Sequence, residues 1–389
     1  MRHASLYLAV PVLLALLSAS AVAARDALDA TLEPLRAEHR LPALAAAVVK
    51  DGVIVAAGAV GERALGSGVP VTVDDRFHIG SDTKAMTATL AAMQVEEGLL
   101  RWDSTVGETI GAAFPGMAPE LAAVSLEQLL SHSSGIPSDT AEMLNLYFSV
   151  DAFNHGPSAR RLRAIDAWKT NVPMKPEGSP FQYSNFGYLI AGAMIEAASG
   201  QPWERLIRER LFDPLGLTTA GLGATVTPGR LDAAAAHVRG ADGSVALRVW
   251  GIAADIPPML GPAGTAHMSV LDFARWGGWN AGMGRRGPAL LKPATLAILH
   301  AVHTRTPPRP DAPPGTPGTG GYGLGWGIVP FPWSDRPLLA HNGSNGMNLA
   351  KILVDTERDL AVVVLTNIGG KAAEDGASAV QQALYERYR

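Results

Sequence analysis

The 389-residue chain contains no cysteine, which excludes disulfide staples, thiolate nucleophiles and cysteine metal ligands. Charge is sparse: 17% of residues are Asp, Glu, Lys or Arg, and the net charge is −4. Nucleic acid and anionic membranes are therefore not expected partners, since both need basic patches. Long apolar runs are missing beyond the N-terminus. The run there, Leu6 to Leu17, follows Arg2 and His3 and leads to the small-x-small triplet Ala21-Val22-Ala23. That order predicts a signal peptide over residues 1–24, cleaved near Ala23 or Ala24. No stable membrane span is expected after its removal, and the location is expected to be periplasmic or secreted.

Several catalytic signatures are absent as well. There is no G-x-S-x-G elbow and no H-E-x-x-H zinc helix. His300 and His303 are spaced for one helix face but lack nearby carboxylates, so no metal is expected. Gly318, Gly320 and Gly323 match G-x-G-x-x-G without a strand before or a helix after, which fails the dinucleotide context. No cofactor is implied.

What is present is core: 47% of residues are hydrophobic, a globular profile. Asp26 to His39 reads as an amphipathic surface helix. Leu44–Lys50 and Val53–Val60, joined by Asp51-Gly52, read as a hairpin. Asn348–Val354 and Leu360–Asn367 read as a second hairpin, and Ala372–Tyr388 as a closing helix. These patterns predict an α+β fold: one antiparallel sheet built from both chain ends (about 25–80 and 320–389), flanked by terminal helices. The middle, about 81–319, is expected to be mostly helical, with helices over Ser125–Ser131, Gly187–Ser199, Pro202–Phe212 and Leu271–Asn280. Phe153–Trp168 and Thr306–Gly321 read as surface loops, the latter from its Pro and Gly content.

Chemistry is carried by Ser81-Asp82-Thr83-Lys84, which precedes the helix-forming run Ala85–Glu97. A Ser and a Lys three residues apart share one helix face, placing a hydroxyl within reach of an amine that could take its proton. The plainer reading makes Ser81 an N-cap and Lys84 a solvated first-turn residue. Two distant fragments weigh against it: Tyr183-Ser184-Asn185 before a helical run, and His341-Asn342-Gly343 before a strand. Ser81/Lys84 is the only S-x-x-K and Tyr183/Asn185 the only Y-x-N in the chain. His132, within Leu129–Ile136, is expected to brace its own Ser/Gly turn.

With these residues in place, the sequence resembles the serine β-lactamase and penicillin-binding protein superfamily. It is most similar to the branch of class C β-lactamases, D,D-carboxypeptidases, D-aminopeptidases and β-lactamase-like esterases. The stretches 77–84, 129–136, 181–188 and 322–326 carry the resemblance, which extends over residues 25–389. It implies a β-lactamase/transpeptidase-like fold and acyl transfer through an acyl-enzyme on Ser81. By the same resemblance Lys84 and Tyr183 share the base role, and Asn185 binds Lys84 and the acyl amide. His341 supports Tyr183 on the leaving-group side, and the backbone N–H groups of Ser81 and Ser344, next to Gly343, form the oxyanion site. The family's class C enzymes carry Lys-Thr-Gly where this chain has His341-Asn342-Gly343. An imidazole titrates near pH 6.5, so a substrate carboxylate is held less strongly and an acid limb near neutrality is expected from His341.

The expected function is hydrolysis of a D-amino-acid peptide, by carboxypeptidase or aminopeptidase chemistry, or of a small ester. A β-lactamase and a non-catalytic penicillin- or peptidoglycan-binding module are the alternatives.

Overall fold

The computed structural model describes residues 25–137, 139–149, 155–175, 180–248, 254–307 and 319–389. The signal-peptide segment, Gly318 and most of Thr306–Gly321 lie outside these residues. The apolar runs of both chain ends meet in a nine-stranded sheet: β1 (Asp26–Ala27), β2 (Ala43–Lys50), β3 (Val53–Gly61), β4 (Thr304–Thr306), β5 (Gly320–Tyr322), β6 (Gly327–Val329), β7 (Leu338–Ser344), β8 (Leu349–Asp355) and β9 (Leu360–Thr366). Their order across the sheet is β1-β3-β2-β9-β8-β7-β6-β5-β4. All neighbours are antiparallel except β1 and β3, which run parallel. The sheet thus draws on the expected terminal stretches and also on Thr304–Thr306.

Strands β2, β8 and β9 are apolar along nearly their whole length because both faces are covered. Leu44, Ala46 and Val48 belong to one core layer with Leu353, Val362 and residues of the terminal helices; Ala45, Ala47 and Val49 belong to the other. This is the period-two alternation of a strand. The turn between β2 and β3 places Asp51 and Gly52 at φ 52° and 76°, the left-handed pair that a two-residue hairpin needs.

Helix α1 (Asp29–Glu38) begins three residues later than expected, because Asp26–Ala27 pairs with β3 instead. Helix α2 (Thr83–Glu96) is buried on all sides, in keeping with its Ala/Met/Thr content. Helix α3 (Leu126–Leu130) starts at a capping box, Ser125 with Gln128. The Arg-rich stretch expected to be a loop instead contains helix α4 (Pro157–Trp168); residues 153–154 lie outside the described set. Its reason is Arg161, which is fully buried and ion-paired to Glu196 and Glu204. A surface reading of clustered arginines misses a charge that has two carboxylates waiting for it inside. Helix α5 (Asn185–Ser199) is capped by Ser184 and ends at Gly200 in the left-handed region. Helix α6 (Val270–Ala281) covers one face of the sheet, and α7 (Lys371–Tyr388) the other.

A second, three-stranded sheet of Arg76–His78, Ala266–Ser269 and Gly221–Leu222 leads the chain from the main sheet into α2. The start of α2 is thereby wedged against the end of β7, where the two halves of the molecule meet. Among the described residues, no helix is long and apolar enough to cross a membrane.

Candidate active site

Ser81 sits in a single 3-10 turn, Gly80–Asp82, immediately before α2. Thr83 fixes that turn: its hydroxyl donates to the Gly80 carbonyl at 2.7 Å and accepts from the Ala266 N–H at 3.2 Å. Lys84 follows one turn into the helix line and is completely buried. Its Nζ lies 3.0 Å from Ser81 Oγ, 2.7 Å from Asn185 Oδ1 and 2.7 Å from the carbonyl oxygen of Ala263. Tyr183, from the segment before α5, donates its hydroxyl to Ser81 Oγ at 2.7 Å. Ser81, Lys84, Tyr183 and Asn185 are therefore in one hydrogen-bonded cluster.

The three contacts of Lys84 are not equivalent. Asn185 Oδ1 and the Ala263 carbonyl can only accept, so each takes an N–H from the amine. A neutral amine has two N–H bonds and one lone pair, and the lone pair is then directed at Ser81. Burial pulls the Lys84 ammonium down to about 7, opposed by the carboxylates of Asp139 and Asp82. Burial acts on Tyr183 in the opposite sense and raises it, so its phenol keeps its proton. Of the two groups expected to share the base role, the environment favours Lys84 as base and Tyr183 as hydroxyl donor.

His341 lies on β7. Its Nε2 faces the hydroxyl of Tyr322 at 2.9 Å, and its Nδ1 donates to the Asn342 carbonyl at 3.0 Å. Asp82 Oδ1 is 3.4 Å from the same Nδ1. Burial, with the Lys84 charge adding to it, pulls the imidazole down to about 3. On this basis an acid limb near neutrality would report Lys84 rather than His341.

The oxyanion side is built by backbone approach. Gly80, at φ 50°, abuts Ser344, and Gly343 abuts Ile79; a Cβ on either glycine would overlap the facing backbone. This contact sets the Ser81 turn directly against Gly343-Ser344. A buried polar chain holds both sides: Gly80 N–H donates to His78 Nδ1 at 3.0 Å, and His78 Nε2 lies 3.0 Å from Asp255 Oδ1. Asp255 Oδ1 also accepts from Asn345 Nδ2 at 3.0 Å.

His132 does more than brace its own turn. Its carbonyl accepts from Gln182 N–H at 2.7 Å and its Nδ1 from Ser184 N–H at 3.1 Å, clamping the residues on both sides of Tyr183. Its ring lies 4.3 Å from the Tyr183 ring, centroid to centroid. Three further participants had no role assigned from the sequence: Tyr322, which stands in one of the stretches that carry the resemblance, the Ala263 carbonyl and Asp139. Asp139 Oδ2 accepts from Asn185 Nδ2 at 2.7 Å. A single Asp after a Ser-Gly-Ile-Pro turn has no spacing or periodicity to mark it.

His300 faces Asn280 at 3.2 Å and His303 faces Glu127 at 2.9 Å, each with a separate partner. Among the described residues no group of three or more His, Asp or Glu is placed to hold a metal ion.

A family model described as Beta-lactamase matches residues 28–386. Penicillin-binding protein 4 of Amycolatopsis lactamdurans is 29% identical over 87% of this chain and 84% of its own length. A D-aminopeptidase of Cereibacter sphaeroides is 30% identical over 51% of this chain but only 36% of its own length. The octameric penicillin-binding protein homologue from Pyrococcus abyssi superposes with a TM-score of 0.72 at 25% identity, covering 92% of this chain and 76% of the other.

Proposed function

The chain belongs to the beta-lactamase family and is a serine hydrolase, and on that premise we propose that it hydrolyses amides or esters of D-amino-acid type through an acyl-enzyme on Ser81. The observation that carries this reading is the convergence of Lys84 Nζ and Tyr183 Oη on Ser81 Oγ, at 3.0 and 2.7 Å. Neutral Lys84 takes the Ser81 proton as Oγ bonds to the carbonyl carbon. The resulting oxyanion is received by the N–H groups of Ser81 and Ser344, donors each worth about 3–4 kcal/mol in such sites. Tyr183 gives its proton to the departing nitrogen or oxygen and is reprotonated from Lys84. Water, deprotonated along the same route, then releases the acid and restores Ser81.

The charge of a cavity that borders Tyr183 and His341, though its walls do not include Ser81, supports a substrate class. A cavity of about 740 Å³ extends from Tyr183 and His341 past Phe331 and Trp333 to α7. Its two lysines are already engaged, Lys351 with Glu374 at 2.9 Å and Lys371 with Asp375 at 2.8 Å. His341 is held neutral. Among the described residues of this cavity, no cation is left unpaired for a substrate carboxylate. That favours an uncharged leaving group, as in an aminopeptidase substrate or an ester, over the free carboxylate released by a carboxypeptidase. The relationship to a named D-aminopeptidase supports the same side.

Turnover of D-alanine p-nitroanilide and p-nitrophenyl butyrate is expected to exceed release of D-alanine from an acylated D-Ala-D-Ala peptide by at least tenfold. The reverse order would overturn the leaving-group assignment. Identity to a penicillin-binding protein supports a second reading, acylation of Ser81 by β-lactams with slow release; nitrocefin turnover tests it. Export is proposed on the strength of the N-terminal sequence alone.

A further inference from the structure

Asn185 can serve Lys84 in only one of its two amide orientations. With Oδ1 toward the amine, Asn185 accepts an N–H and leaves the lone pair for Ser81. Rotated by 180°, it would present Nδ2 and donate into that same lone pair, competing with the Ser81 hydroxyl for the base. Nothing in Asn185 itself selects between the two, because oxygen and nitrogen have nearly the same shape.

Selection comes from the far side of the amide. Asp139 Oδ2 accepts from Asn185 Nδ2 at 2.7 Å, while Asp139 Oδ1 accepts from the hydroxyl of Tyr147 at 3.2 Å. A carboxylate is an acceptor only, so it can face Nδ2 and not Oδ1. Tyr147 is buried in the helical core and holds the carboxylate in place. We propose that Asp139 is a positioning residue that locks the Asn185 amide with its oxygen toward Lys84 and thereby reserves the Lys84 lone pair for Ser81. The proposal rests on the acyl-transfer reading above and deepens it. Asp139 itself touches no reacting atom.

Lys84 is also surrounded by Asp82, His132, His341, Tyr183 and Tyr188, which face it from its own turn, from the turn after α3, from β7 and from the two sides of Asn185. All five are buried or partly buried in the site, whereas Asp139 is exposed and can be changed without leaving a cavity. Asp139→Asn keeps the shape and replaces the acceptor-only carboxylate by an amide that tolerates either orientation of Asn185. Removing the carboxylate, and allowing Nδ2 to meet the lone pair, both disfavour protonated Lys84. The acid limb should therefore move to lower pH.

The test is the rate at which an activated-ester probe acylates Ser81, followed by intact mass across pH 5 to 9 in the full chain. In Asp139→Asn the plateau rate is expected to fall about tenfold, as for loss of one oriented hydrogen bond to a charged group. The midpoint of the acid limb should drop by several tenths of a pH unit, with KM for p-nitrophenyl butyrate changed less than twofold. Tyr147→Phe, which leaves the carboxylate but loosens it, should show a smaller fall in rate with the limb unmoved. A plateau and midpoint for Asp139→Asn equal to those of the parent would overturn the proposal. Failure of the parent chain to be labelled at all would instead overturn the acyl-transfer reading. A lowered thermal midpoint with unchanged pH dependence would show Asp139 to be structural only, and would equally count against it.

Discussion

Tyr183 Oη and Ser81 Oγ lie 2.7 Å apart although 102 residues separate them in the chain. The phenol is the donor in this contact and burial keeps it protonated, which suits delivery of a proton to a leaving group. Tyr183→Phe should lower kcat on an anilide about 100-fold, within the range for a lost general acid. It should lower kcat on a p-nitrophenyl ester far less, since nitrophenolate leaves without protonation. Equal losses on both substrates would contradict the donor role.

On the proposed mechanism the free Lys84 amine is required for attack, so activity should rise as pH passes upward through about 7 and be lost below it. His341 stays neutral throughout that window because burial pulls it down to about 3. His341→Gln should therefore keep the acid limb of kcat/KM in place while changing its height. Disappearance of the limb in that variant would return the titration to the imidazole.

Gly343→Ala tests the oxyanion side. A Cβ there would meet the Ile79 carbonyl and the backbone around Ser81, pushing Gly343-Ser344 away from the nucleophile turn. Loss of a placed oxyanion donor costs about 100-fold or more in kcat. An activity within threefold of the parent would show that Ser344 N–H is not part of the site.

Arg161→Met removes a fully buried guanidinium that reaches Glu196 and Glu204, the latter at 2.9 Å. Two carboxylates are left uncompensated, a change worth about 3–5 kcal/mol in comparable buried networks. Urea unfolding should show that loss in the midpoint. A midpoint unchanged within 0.3 M would mean that the carboxylates recover their solvation when Arg161 is gone.

Much of the fold could be read from the sequence because it rests on local signals. Asp51-Gly52 forces a hairpin, Ser125 and Gln128 box a helix start, and the all-apolar strands announce a sheet covered on both faces. The nucleophile segment was legible because Ser and Lys need only one helical turn to meet. What the sequence concealed depends on partners far along the chain. Arg161 looks like surface until Glu196 and Glu204 are beside it, and His341 looks titratable until it is buried against Tyr322. Asp139 gains a role only through the amide it faces, and the Ala263 carbonyl has no side-chain signature at all. Long-range convergence, not propensity, decides these positions.

The most direct measurement is intact-mass analysis after exposure to an activated-ester or fluorophosphonate probe, with the adduct mapped by peptide sequencing. One adduct is expected, on the peptide containing Ser81, formed with a midpoint near pH 7 and absent in Ser81→Ala. An adduct on another residue, or labelling that survives Ser81→Ala at the parent rate, would contradict the assignment of Ser81 as nucleophile.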